Sequence, residues 1–219
     1  MWAVHYLVTP SEVRAGRLPE PARRYRDALE EVVRWVEEYL PADHPDLGRA
    51  GPVCPYVRPS LDNDLLWLTV HPGASPSLDR LAADAVHYGR WARRHPVPAR
   101  LAQFKAILIL LPDLPPERGP EVIDVVQRAL KPRFVDDGMM IGQFYPGCAS
   151  HGLWNPRFRP LSSTVPLLTI RHMVAADPGF LDDDRRHLTA YLARYSDRIP
   201  SRFRDAVREA AVRLGVDER

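Results

Sequence analysis

The sequence predicts an α/β fold, with an α+β arrangement as its variant: a central mixed, largely parallel four-stranded sheet, helices on its flanks and two further helices at the C-terminal end. Three observations predict it. Four short apolar runs, at 65–70, 104–111, 139–145 and 165–172, are too brief for stable helices and read as strands. The first three alternate with segments whose apolar residues recur at helical spacing, a pattern that implies crossovers and parallel neighbours. The 23 prolines punctuate the chain and mark where elements stop.

Taken in order, the first helix spans about 21–40, with Tyr25, Leu29, Val32, Val33, Val36 and Leu40 on one face. Pro21 suits its first turn and Pro41 ends it. A Pro/Gly-rich loop over 42–59 carries Cys54-Pro55-Tyr56. After the strand at 65–70, Ser75-Pro76 starts a helix with Leu78, Leu81, Ala82, Ala85, Val86 and Gly89 on one side. The run 104–111 is continuously apolar, as expected for a strand covered on both faces. A helix over about 120–130 turns Val122, Ile123, Val126 and Leu130 inward. The strands 139–145 and 165–172 are joined by an irregular loop, a step that can add an antiparallel strand. Helices over about 181–195 and 201–214 finish the chain. One domain, 1–219, is expected, divided into an N-terminal helical segment (1–50), a core with the site (51–175) and the C-terminal helices (176–219).

Composition excludes several function classes. Hydrophobic residues form 45% and charged residues 26% of the 219, an ordinary globular balance. A formal charge of +2 gives no electrostatic case for a nucleic-acid partner. No apolar run approaches the length that spans a bilayer, and the N-terminal stretch lacks the basic and apolar regions of an export signal. The expected location is cytoplasmic, where Cys54 and Cys148 stay as free thiols.

The chemistry concentrates between Gly138 and His172. The loop joining the last two strands is far longer than a hairpin turn, and such loops in compact domains are usually functional. Phe144, Tyr145, Leu153, Trp154 and Phe158 are its expected anchors, and the plainer alternative is a packed loop without a ligand. Period-two geometry puts His172 on the same strand face as Leu168 and Ile170, with Val165, Leu167, Thr169 and Arg171 on the other. A neutral imidazole at the carboxyl end of a strand can bind haem iron or another metal, or shuttle protons. It can equally be a buried histidine satisfied by a backbone carbonyl. Cys54 stands in a Cys-Pro step, which can present a thiolate to iron. Arg157, Arg159 and Arg171 suit a carboxylate, whether a haem propionate or a substrate group, or else form surface ion pairs. Cys148 and His151 are close enough in sequence to suggest a nucleophilic pair, although no third group orients the imidazole. Asp182-Asp183-Asp184 opens a helix and reads as a cap rather than a metal cluster. Dinucleotide, P-loop, zinc-protease and serine-hydrolase motifs are absent from the sequence.

The motif G-x-M-x-G-x-F-x-P-x-C followed by G-L-x-N-x-x-F-R-P-L-x-S-x-V-P-L-L-x-I-R-H-M-V, carried by Gly138 to Val174, resembles an uncharacterised bacterial family described as a domain of unknown function. Val53-Cys-Pro-Tyr-Val57 fits the same resemblance. That family is in turn distantly similar to the YqcI/YcgG-like proteins, some of which are haem-dependent N-hydroxylases acting on guanidino or amino groups. On that similarity Cys54 matches their cysteine and His172 their strand histidine. Where those proteins often have His-Pro after the third strand, this chain has Tyr145-Pro146. The resemblance implies a haem-dependent oxygenase for a nitrogen-containing small molecule, served by an electron-donor protein. His172 would be the axial ligand with Cys54 as its rival, the three arginines would hold propionates or substrate, and Tyr145 would be a distal hydrogen-bond donor. A non-catalytic small-molecule-binding or accessory protein is the alternative, and a cysteine enzyme using Cys148 and His151 the third reading.

Overall fold

The computed structural model describes residues 5–217; the first four residues of the N-terminal stretch lie outside the described residues. Four strands, β1 (Leu66–Val70), β2 (Ala106–Leu110), β3 (Met139–Phe144) and β4 (Leu167–His172), form one sheet in the order β1-β2-β4-β3. All four were expected at these places, and the mixed α/β class holds. The largely parallel pairing does not. β1 and β2 pair in parallel, whereas β4 is antiparallel to both β2 and β3. The reason is the position of β4. The chain leaves β3 and returns through 145–166 at the same end, so β4 must run backwards, and it enters between β2 and β3 rather than at an edge. One inserted strand therefore makes two pairings antiparallel, while β1, β2 and β3 still point the same way.

Helices cover both faces. On one side, α5 (Leu78–Arg94) and α6 (Val125–Asp136) pack Leu81, Ala85, Ala92, Val126 and Phe134 on Ile107, Ile109, Ile141, Leu168 and Ile170. The two helices approach closely at Gly89, where a Cβ would stand 2.9 Å from the Phe134 ring. On the other side, α3 (Arg26–Glu38) packs Leu29, Val32, Val33 and Val36 on Leu66, Leu68, Leu108, Leu110 and Leu167. The same side carries a second, separate cluster from α7 (Arg185–Tyr195) and α8 (Ser201–Leu214), with Leu188, Tyr191, Phe203 and Val207 around Met140 and Met173. Asp184 caps α7, its carboxylate accepting the His187 N–H at 3.0 Å. The acidic triplet thus starts a helix, as its sequence implied.

The boundaries shift where local chemistry intervenes. The helix expected from residue 21 breaks at Tyr25, leaving α2 (Glu20–Arg23) ahead of α3. Two short helices, α1 (Pro10–Arg14) and α4 (Val57–Asp62), have no counterpart in the periodicity, because neither is long enough to show a repeat. A π-helical turn, Pro120–Asp124, leads into α6. Among the described residues no helix is long and apolar enough to cross a membrane.

Candidate functional site

The two apolar clusters on the α3 side of the sheet do not meet. Along the β3–β4 ladder, the Phe144–Leu167 pair belongs to the α3 cluster and Met140 belongs to that of α7 and α8. The pair between them, Gly142 and Thr169, belongs to neither and keeps access to solvent, although β4 is an interior strand. A Cβ on Gly142 would meet nothing closer than the Phe144 ring at 3.5 Å. The Thr169 hydroxyl makes no hydrogen bond to any described residue. The helix layer thus has a gap over the β3–β4 edge of the sheet, midway along the two strands.

Cys54 and Arg171 come together at one edge of this gap. Arg171 follows Thr169 on the same face of β4 and donates two hydrogen bonds to Asp177, at 2.8 and 2.7 Å, and a third to the His172 carbonyl. Asp177 is 2% exposed and also accepts the Val174 N–H. Cys54 is half-buried and free, its own N–H spent on the Leu40 carbonyl at 2.8 Å. Pro55 has no N–H, so the first amides that can reach the sulfur are those of Tyr56 and Val57, at the start of α4, and both favour its thiolate. The Arg171 guanidinium acts in the same direction, but burial outweighs all three and pushes the thiol pKa up. The same surroundings raise the Tyr56 phenol, mainly through burial and secondarily through the Asp177 charge.

The long loop bridges the flanks of the gap. On the α3 side, Asn155 donates to the Asp46 carbonyl at 2.8 Å and Phe158 lies 4.6 Å from the His44 ring, centroid to centroid. On the other, Trp154 lies 5.5 Å from Phe203 of α8. Tyr145 and Phe158 are buried as anchors, whereas Leu153 and Trp154 remain about 40% exposed. Arg159 donates to the Pro156 and Phe158 carbonyls of its own loop, and the Arg157 guanidinium is exposed without a hydrogen bond or ion pair to a described residue.

His172 lies elsewhere. It is next to Arg171 on β4 and therefore faces the α5–α6 side, as the alternation predicted. Its Nε2 is buried without a hydrogen-bond partner among the described residues. Burial first, then the Lys105 ammonium, lowers its pKa to about 4, with the Ala92 carbonyl pulling the other way. Lys105 is itself buried and donates to the Ala92 and His95 carbonyls. The reversed β4 also changes what its carboxyl end means. His172 sits opposite Met139, the first residue of β3, and so beside the amino ends of the other three strands. The carboxyl ends of β1, β2 and β3, where such folds usually place ligands, are at the far end of the sheet.

Tyr145 is at that far end. Its hydroxyl donates to Asp124 at 2.9 Å, and burial, with Asp124 and Cys148 beside it, weakens its acidity. Register places it six residues from His172 along the ladder, roughly 20 Å at a rise of about 3.3 Å per residue. The two therefore do not share a site. Cys148 is 1% exposed within the α5–α6 cluster, and the exposed His151 makes its contact with the Gly152 carbonyl instead. Among the described residues no three His, Cys, Asp or Glu side chains are grouped to hold a metal ion.

Four participants escaped the sequence reading: Thr169 and Tyr56, which were not singled out chemically, Asp177, and a buried His71–Asp84 pair at 2.8 Å beyond the end of β1. The last had a signal, since His71-Pro72-Gly73 follows an apolar strand and Asp84 borders the inward face of the next helix. It is also a His-Pro step, though after the first strand. A surface groove of about 580 Å3 along α3, walled by Trp35, Tyr39 and several carboxylates, contains none of the residues predicted for the site.

No curated protein and no solved structure matches the chain. The model of one family, described as a domain of unknown function (DUF6875), matches residues 29–206, a span that includes the whole gap and its edges. The chain belongs to that family.

Proposed function

We propose that this member of the family is a haem-dependent enzyme of the oxygenase type acting on a nitrogen-containing small molecule, with Cys54 rather than His172 as the protein ligand. The observation that carries the reading is the setting of the Cys54 sulfur. Two backbone amides and the Arg171 guanidinium favour a thiolate there, yet burial keeps the proton on. A cysteine built for nucleophilic attack needs a lowered pKa. A cysteine built for a cation can keep its proton, because coordination deprotonates the thiol outright.

The residues present fit a haem in the gap. One thiol suffices as protein ligand, Gly142 leaves the floor clear, and Arg157 is uncommitted and free to meet a propionate. Arg171 already spends three of its five donors on Asp177 and the His172 carbonyl, and its part in this reading is to stabilise the thiolate. His172 fits less well. Iron there would share its surroundings with the Lys105 and Arg93 charges, on the opposite side of the sheet from Cys54. When bound, the cofactor would supply oxygen or peroxide activation. The chain's own contribution would be to hold the thiolate in place and to keep bulk water from the gap with the Phe158-anchored loop.

Reconstitution with haemin tests the reading. The expected result is a Soret band and a thiolate-type carbon monoxide spectrum, both lost in Cys54→Ala and kept in His172→Ala. A folded protein that takes up no haemin, or one whose band depends on His172 alone, would overturn it.

A further inference from the structure

Among the described residues, His71 and His187 are the fully buried histidines, and their ring nitrogens are in opposite states. Both nitrogens of His187 are sealed from solvent without a hydrogen bond. The ring of His71 is held at one nitrogen and open at the other. Its Nδ1 stands 2.8 Å from an Asp84 carboxylate oxygen, which can only accept, so Nδ1 carries the hydrogen and donates it. In the neutral ring Nε2 then has a bare lone pair. It has no hydrogen-bond partner among the described residues, yet it is not one of the sealed atoms, so the 4% of His71 that reaches solvent includes it. The fold also puts this atom where a ligand can come. The His71 N–H extends the parallel β1–β2 ladder to the Leu110 carbonyl at 2.8 Å, which places the ring at the carboxyl ends of both strands. His71 shares its strand face with Thr69, and both meet α5: Thr69 at the Tyr88 hydroxyl, 3.0 Å away, and His71 at Asp84, one turn earlier. The turn beyond is fixed as well, with the Gly73 N–H donated to Asp113 at 2.8 Å and Arg118 donating to the Ala74 carbonyl at 3.1 Å. The space beside that turn is open: a Cβ on Gly73 would meet nothing within 4 Å.

From this arrangement we infer that His71 and Asp84 form a second catalytic site, an acid–base dyad that hydrolyses a small uncharged acyl compound. Nε2 takes a proton from water while the water oxygen's electron pair forms the bond to the acyl carbon. The leaving group then departs with its bonding pair, and the proton returns from Nε2 to the products. Asp84 holds the tautomer and faces the ring while it is positively charged. The narrow opening over His71 excludes bulky substrates, and the Asp84 and Asp113 carboxylates disfavour anionic ones. The dyad lies on the α5 side of the sheet, across from Cys54, so it goes beyond the haem reading and does not rest on it.

Two measurements on the full chain test the dyad. Diethyl pyrocarbonate reacts with a bare imidazole nitrogen, and mass spectrometry of the peptides reads each histidine separately. His71 should be modified in the folded protein although it is buried, whereas His187 should stay unmodified until the protein unfolds. Asp84→Asn should slow the modification of His71 severalfold and leave that of the exposed His151 unchanged. The second measurement is hydrolysis of p-nitrophenyl acetate, a small neutral ester. The parent should exceed the rate of His71→Gln severalfold, and Asp84→Asn should lower kcat with little change in KM. His151→Gln and Cys54→Ala should hydrolyse the ester as the parent does, which separates the dyad from exposed imidazoles and from the haem reading. A parent no faster than folded His71→Gln overturns the inference. So does a His71 as protected from diethyl pyrocarbonate as His187, a result that needs no variant to fold.

Discussion

His172 should make the fold acid-sensitive, and the size of the effect follows from its surroundings. The ring is largely buried beside Lys105 and Arg93, its Nε2 has no partner among the described residues, and its pKa is lowered from 6.5 to about 4. In the unfolded chain the same ring titrates near 6.5. The group's contribution to stability is therefore full above pH 6.5 and declines as pH falls towards 4, because the unfolded state binds a proton that the native state refuses. Between pH 7.5 and 4.5 the linkage amounts to at most about 2.5 kcal/mol, and partial solvent access to the ring reduces this to about 1–2 kcal/mol. Carboxylates titrate over the same range, so the effect must be read as a difference. Urea unfolding of the parent and of His172→Leu at both pH values provides it. At pH 7.5 the variant should lie within about 1 kcal/mol of the parent, since an orphaned polar atom has been removed. At pH 4.5 it should be the more stable of the two by about 1–2 kcal/mol relative to that baseline. Parallel loss of stability in both proteins would refute the account of a neutral histidine held against two cations.

Further outcomes follow from the edges of the gap and from the C-terminal helices. Asp177→Ala leaves the Arg171 guanidinium without its carboxylate and should cost about 3 kcal/mol in chemical denaturation, the low end of the range for broken buried pairs because Arg171 keeps some solvent contact. The double replacement Arg171→Met with Asp177→Leu should recover most of that loss, whereas additive losses would show that the pair is not the unit. Asp184→Ala removes the cap of α7 and should lower stability by about 1 kcal/mol, seen as a drop in melting temperature without a change of fold. Iodoacetamide at neutral pH should label Cys54 slowly, faster as pH rises, and spare Cys148 until the protein unfolds; mass spectrometry showing Cys148 labelled first would contradict the burial of the two thiols.

The strands could be read from the sequence because burial on both faces leaves continuous apolar runs, and the alternation along β4 sorted Leu168, Ile170 and His172 from Leu167 and Arg171 correctly. Strand order could not be read, because nothing in a strand's own residues says whether it joins an edge or enters between two others. That one unknown reversed the meaning of the carboxyl end at His172. It also put Tyr145 at the opposite end of the sheet from the histidine it was expected to face.

The gap was unreadable for a different reason. Periodicity reports which residues a helix or sheet buries, and a site of this kind consists of what two helix groups leave uncovered. Thr169 looks unremarkable in a strand until the clusters on either side are seen to stop short of it. Cys54 and Arg171 each attracted attention for separate reasons, but only the fold joins them. Asp177 shows why such joining resists prediction: it sits in the turn after β4, just beyond Val174 where the motif ends, and it holds the Arg171 guanidinium where its charge reaches the Cys54 thiol. A residue that directs another's charge leaves no mark at its own position, so the chemistry of Cys54 had to be read from its neighbours.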